Sequence, residues 1–217
     1  MGNRDLQEKL NIKTGDEFEV LGEIMNQAND LLFKEKRMLE EDLEKSKMER
    51  DKIFNVYRDV IYAVTQGKFN LLNESKSNPI SCEGNLLTEV KIVQSGDVNT
   101  ARVLINKVLE KERYSPERIY HAMLCISEAA TNVIKHASYG IMQIRKIDKG
   151  IRVSIADEGP GMDLDKLPNM VFLNGFSTKI SSGYSFGIIN KFADKIYLTT
   201  SRNGTFLGMD FLNVDEL

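Results

Sequence analysis

The sequence predicts an α+β fold, a two-layer α/β sandwich, preceded by a long N-terminal coiled-coil helix. Three observations lead there. Between residues 17 and 66 there is no proline and a single glycine, Gly22, and apolar side chains recur every seven positions. Near residue 70 this charged segment gives way to a stretch rich in Asn, Ser and Gly. Beyond it, strands follow one another through hairpin turns beside long amphipathic helices, a pattern that argues against a doubly wound parallel sheet.

Taken in order, residues 1–16 read as a flexible N-terminus and 17–68 as a coiled-coil dimerisation helix. Its seam is Met25, Leu32, Leu39, Ser46, Ile53 and Val60, with Ala28, Leu43, Tyr57 and Val64 as second contacts. Ser46 on the seam and the charges Glu35 and Asp42 beside it predict a weak or regulated homodimer rather than a rigid rod. Residues 69–84 read as a linker and 85–217 as the main domain. Within it, 86–93 is β-rich, Asp97 is placed to cap a helix running to about residue 110, and Ser115-Pro116 supplies an N-cap and a first-turn proline for a helix through residue 137. Strands at 141–147 and 151–156 turn at Lys149-Gly150. A helix at 186–193 precedes a final hairpin, 196–201 and 205–212, turning at Asn203-Gly204.

Composition excludes several classes of function. The 217 residues are 41% hydrophobic and 28% charged with a net charge of -3, so no overall field draws the chain to nucleic acid or to an anionic membrane. No apolar run is long enough for membrane insertion, and the first residues are too polar for a secretory signal. Cys82 and Cys125 show no pairing pattern, which suits a reducing, cytoplasmic setting.

Three clusters carry candidate chemistry. On the 116–137 helix, Ile119, Ala122, Met123, Ile126, Ala130, Val133 and Ala137 form the buried stripe, while Glu128, Asn132 and His136 share another face with Cys125 beside them. A carboxamide oxygen suits Mg²⁺, and a carboxylate one turn away can take a proton from a hydroxyl; two polar residues on a solvated face are the plainer reading. Asp157 ends a strand before Gly159 and Gly161. Its carboxylate either accepts a hydrogen bond from an exocyclic amine or closes an Asx turn. The third cluster, 175–187, contains Ser177, Thr178, Lys179, Gly183, Ser185 and Gly187 ahead of an apolar helix, an arrangement for phosphate binding or simply a glycine-rich loop.

In sequence order, Ser127-Glu-Ala-Ala-Thr-Asn-Val-Ile-Lys-His-Ala137, Asp157-Glu-Gly-Pro-Gly161, Gly175-Phe-Ser-Thr178 and Gly183-Tyr-Ser-Phe-Gly187 resemble the N, G1 and G2 boxes of the GHKL (histidine-kinase-like) ATPases. The short spacing between the first two boxes is similar to that of the bacterial anti-sigma-factor and switch-protein serine/threonine kinases. The resemblance implies a Bergerat-type ATP-binding fold over 85–217, with ATP and Mg²⁺ as cofactors. Asn132 would hold Mg²⁺, and Glu128 would be the catalytic base. Asp157 would receive the adenine amine, Gly159 and Gly161 would shape its pocket, and 175–187 would form the lid over the phosphates. The implied substrate is a small STAS-like antagonist protein, with a sigma factor as a further partner. Alternatives are a non-catalytic ATP-responsive module that sequesters a sigma factor or switch protein, and a histidine-kinase-related protein acting on a partner in trans. The chain departs from the family pattern at Ser185, where a glycine is usual. A Cβ there limits close backbone approach, while the hydroxyl adds a donor.

Overall fold

The computed structural model describes residues 17–73, 80–167 and 186–213. The predicted flexible N-terminus lies outside these residues, as do Ser177, Thr178, Lys179, Gly183 and Ser185. The chain divides into two compact units, Met1–Ile53 and Phe54–Leu217.

The first unit contains most of α1 (Glu17–Val64), a helix of 48 residues. Its polar surface is laced with i,i+4 ion pairs such as Arg37–Glu41 and Lys36–Glu40, each worth only a few tenths of a kcal/mol. The predicted seam is laid bare along it, with Leu32 62% and Leu39 69% exposed.

In the second unit the last turns of α1 change character, because Ile61 is fully buried and Phe54 and Tyr57 pack on the core. Gln66 and Gly67 adopt positive φ and reverse the chain into β1 (Phe69–Leu71). This strand corrects the reading of 69–84 as linker from its first residue. Phe69 and Leu71 are buried, and β1 pairs in parallel with β5 (Lys195–Ser201), Phe69 opposite Ile196. Three residues are too short to display a period-two pattern, and the partner strand lies far along the chain.

The remaining elements are β2 (Asn85–Ile92), α2 (Ser95–Lys111), α3 (Pro116–His136), β3 (Gly140–Ile147), β4 (Gly150–Asp157), a 3₁₀ turn at Leu164–Lys166, α4 (Gly187–Phe192), β5 and β6 (Gly204–Leu212). Apart from the 3₁₀ turn, which the sequence did not predict, they match the predicted elements to within about two residues at each end. α2 begins just ahead of the expected cap, because Asp97 sits inside the first turn and its carboxylate reaches back to the backbone N–H groups of Val93 and Gln94. These bonds hold its carboxyl below the ordinary value.

The six strands form one sheet in the order β1-β5-β6-β4-β3-β2, antiparallel except for β1 with β5. α3 supplies the helical side of the core through Ile119, Ala122, Ile126, Ala130 and Val133, with Met142, Ile144, Val153, Ile155 and Met209 from the sheet. Cys125 belongs to this core and is fully buried, so it does not share the polar face of α3; burial pushes its thiol up to about 12.

Strand alternation turns Arg152 away from Ile151 and Val153. Its guanidinium forms a bidentate pair with Asp210 at 2.6 and 2.9 Å, with both side chains only 3% exposed. Arg152 also lies over the Tyr197 ring, donates to the Ile80 carbonyl at 3.0 Å and pairs with Glu83. Removing one member of such a buried pair costs about 3–5 kcal/mol, because the other charge is left without compensation.

Candidate nucleotide site

The site is built at one end of the sheet, where α3 finishes and β4 runs into a tight loop. Ser115 caps α3 by accepting from the Arg118 N–H, and Pro116 occupies the first turn, where its missing N–H costs nothing. A stripe of small residues, Ala122, Ala129 and Ala130, lets the helix lie close to the sheet. The approach is tightest at Gly140, where a Cβ would come within 2.7 Å of Val133. Lying on the sheet fixes the orientation of α3 and leaves Glu128, Asn132 and His136 half-buried along one side of it.

Asp157 is the last residue of β4. Its Oδ1 accepts from the Gly159 N–H at 2.9 Å and the Thr205 N–H at 3.2 Å. The first of these is the Asx turn that the sequence offered as the plainer reading. It does not exclude the other, because among the described residues no hydrogen bond reaches Oδ2. Gly161 has φ +73°, and a Cβ on it would meet the Ser201 carbonyl oxygen at 1.9 Å. A side chain there would displace the loop from the β5–β6 turn. Gly159 is pressed against the end of α3, its ideal Cβ 3.0 Å from the His136 carbonyl oxygen.

Between the end of α3 and this loop is a pocket that opens to solvent. Asn132, Asp157, Gly159 and Gly161 all line it, so four of the predicted site residues come together. Its apolar walls include Ile155, Met162, Phe186 and Leu207, surfaces suited to a flat heteroaromatic ring. Glu128 is half-buried one helical turn before Asn132 and is not among the lining residues. Gly187 is the first residue of α4, next to Phe186 in the wall. Sequence reasoning missed Thr205, Phe186 and Met162. Thr205 reaches the pocket only because β6 pairs with β4 and sets it opposite Asp157, a nonlocal register with no local signal.

Asn132 provides the sharpest observation. Its Oδ1 is buried and finds no hydrogen-bond partner among the described residues. Such an acceptor costs about 1–3 kcal/mol unless something fills it. Asn132 lines the pocket, and a hard, neutral amide oxygen suits Mg²⁺, which takes few protein ligands and completes its shell with phosphate and water oxygens. The residues present therefore fit a Mg²⁺–nucleotide.

A family model described as the histidine kinase-like ATPase domain matches residues 94–211, more than half of the chain. The chain belongs to that family. Members bind ATP, usually with Mg²⁺. Among solved structures it is similar to the RsbU and RsbW domains of a Mycobacterium tuberculosis protein, with 13% identity and a TM-score of 0.40 over 56% of this chain and 31% of that one. It is also similar to the SiaB–SiaC complex from Pseudomonas aeruginosa, with 9% identity and a TM-score of 0.45 over 63% and 95% of the two chains. The catalytic domain of the histidine kinase ThkA shows 16% identity and a TM-score of 0.37 over 58% and 96%. The chain spans less than a third of the first of these structures. No curated protein matches it. Among the described residues no helix is long and apolar enough to cross a membrane.

In this histidine kinase-like ATPase domain, burial pushes the Asp157 carboxyl above its ordinary value, against the lowering effect of the Gly159 and Thr205 N–H groups and of His136. The folded state therefore holds the Asp157 proton more tightly than the unfolded chain does. Stability falls as pH rises from the ordinary value of 3.8 through the raised one. Asp157→Asn keeps an oxygen for the two N–H groups and removes the titration. The variant is expected to melt no lower than wild type at pH 7, with its relative advantage shrinking as pH approaches about 4. It is also expected to lose the ATP-induced rise in melting temperature. A pH series of thermal melts with and without ATP and Mg²⁺ checks both; a large drop in melting temperature at pH 7 without ligand would show ionised Asp157 to be net stabilising.

Proposed function

We propose that this ATPase domain is a protein serine/threonine kinase of the anti-sigma-factor or switch-protein type, phosphorylating a small regulatory protein of the STAS-like antagonist kind. The observation that carries the proposal is the unsatisfied Asn132 Oδ1 in the same pocket as the Asp157 turn. Along α3, His136 lies at the Asp157 end, where its carbonyl oxygen meets the Gly159 loop, and Asn132 and Glu128 follow at successive turns. Eight residues of helix span about 12 Å, roughly the reach of a nucleoside triphosphate from base to terminal phosphate. With the purine amine on Asp157 and the phosphates near Asn132, Glu128 stands where the acceptor hydroxyl would enter. Bound Mg²⁺ would neutralise phosphate charge, and Glu128 would take the hydroxyl proton as the oxygen bonds in line to the γ-phosphorus, whose bond to the β,γ-bridging oxygen breaks and leaves ADP.

Serine or threonine is favoured over histidine as acceptor by the spacing of the boxes and by the placement of the chain's two histidines. Both are on α3, where His121 stacks on Phe192 at 3.9 Å and His136 lines the pocket, and α1 has none. A histidine-kinase-related reading therefore needs an acceptor histidine outside α1 and α3, as in the alternative that acts on a partner in trans. Ser185 favours the other alternative, a module that holds a sigma factor or switch protein in an ATP-dependent complex without transfer. Incubation with γ-labelled ATP, Mg²⁺ and candidate antagonist proteins separates the three. Acid-stable label on the partner supports the kinase, acid-labile label supports a phosphohistidine, and complex without label supports the module.

The bare seam of α1 is proposed to pair with a second copy, because a long helix gains most of its stability from packing its apolar face. Light scattering is expected to give a dimer mass for wild type and a monomer mass for the Leu32→Asp, Leu39→Asp double variant. A wild-type monomer at tens of micromolar would exclude the pairing.

A further inference from the structure

At the pocket end of the sheet, three polar residues stand level on neighbouring strands. Asp157 of β4 is opposite Thr205 of β6, and Thr205 is opposite Thr200 of β5. The row is joined by contacts. Thr205 donates its N–H to Asp157 Oδ1, and the Thr205 and Thr200 hydroxyls are 3.5 Å apart. Thr200 then reaches out of the sheet, its Oγ1 accepting the Met162 N–H at 2.6 Å. Met162 is a wall of the pocket, whereas Thr200 does not line it. The same loop is seated a residue earlier by Gly161, whose positive φ brings it onto the Ser201 carbonyl.

We infer that Thr200 is a positioning residue for the purine end of the site, its hydroxyl holding the Met162 wall at the distance from Asp157 that a purine ring needs. The inference rests on the nucleotide reading of the pocket and deepens it. Without the hydroxyl, the Met162 N–H loses a short hydrogen bond next to an apolar side chain, and the loop has reason to turn that group toward water. Such a movement shifts one wall of the base pocket and leaves Asn132, on the helix side, where it is. A purely structural threonine would instead weaken all ligands together.

Thr200→Val keeps the shape of the side chain and removes the acceptor, and Thr200→Ser keeps the acceptor. Isothermal titration of the full chain with Mg-ATP and with Mg-tripolyphosphate, which has phosphates and no base, tests the inference. For Thr200→Val, affinity for ATP is expected to fall about tenfold, the loss of one buried hydrogen bond, while affinity for tripolyphosphate changes less than twofold; Thr200→Ser should restore most of the ATP affinity. Equal losses for both ligands, or ATP binding by Thr200→Val within twofold of wild type, would overturn it. Hydrogen exchange in the wild-type protein tests it without any substitution, since the Met162 amide should be protected and a freely exchanging amide would contradict the inference. Wild-type protein that binds tripolyphosphate but not ATP would overturn the nucleotide reading itself, and the role of Thr200 with it.

Discussion

Glu128→Gln is expected to bind Mg-ATP as wild type does, within about twofold, and to lose phosphoryl transfer by roughly 10²- to 10⁴-fold, the range for a general base. The prediction is sharp because Glu128 stands outside the pocket lining. A residue that does not wall the nucleotide cavity should contribute little to nucleotide affinity. Its role would begin only when an acceptor hydroxyl arrives from the open side of α3. Glutamine keeps the length of the side chain and much of its hydrogen-bonding capacity, so the change isolates proton acceptance. The check is a pair of measurements on one sample, ATP binding by thermal shift and label transfer to an antagonist protein. Transfer at the wild-type rate would remove Glu128 as base, and a matching loss of ATP binding would place it among the nucleotide contacts instead.

Asn132→Ala should behave in the opposite way. Mg-dependent ATP affinity is expected to fall by about tenfold or more, since the protein loses its ligand to the metal and, through the metal, its hold on the phosphates. Metal-free adenosine, through the proposed Asp157 contact, should still bind. Ligand-free stability is expected to stay level or rise, for two separate reasons. The substitution deletes a buried acceptor that has no partner among the described residues, and alanine is a better helix former than asparagine by about half a kcal/mol. A variant that melts lower without ligand and binds Mg-ATP normally would show the side chain to be a structural feature of α3. Because Glu128 and Asn132 are one turn apart on the same helix, the contrast between the two variants also tests the proposed direction of the triphosphate along α3.

Much of the fold was legible because its signals are local. The Ser115-Pro116 start of α3 and the Lys149-Gly150 and Asn203-Gly204 turns place their elements to within about two residues, each being a statement about a few adjacent φ and ψ angles. The apolar stripe of α3 was legible for the same reason, through residues three and four apart. β1 was not, since three residues earn strand status only by lying beside β5. Cys125 was misplaced because a helix pattern gives a burial direction only to within about one residue, and the neighbouring α4 covers that side of α3, with the thiol donating to the Ile188 carbonyl. The Arg152–Asp210 pair and the polar row from Asp157 to Thr200 were illegible altogether. Each joins residues that become neighbours only through strand register.

By itself, then, the chain determined which residue types are available and along which helix face or at which strand end each must lie: an amide and an acid on α3, a carboxylate at the close of β4, a seam along α1. Tertiary structure alone decided that Asn132 and Asp157 face one cavity, that Glu128 stands beside it rather than in it, and that a threonine from another strand holds the loop in place. Periodicity and turn chemistry act over a few residues, whereas a pocket is made by backbone pairing between segments far apart in sequence, and nothing in either segment alone encodes the distance between them.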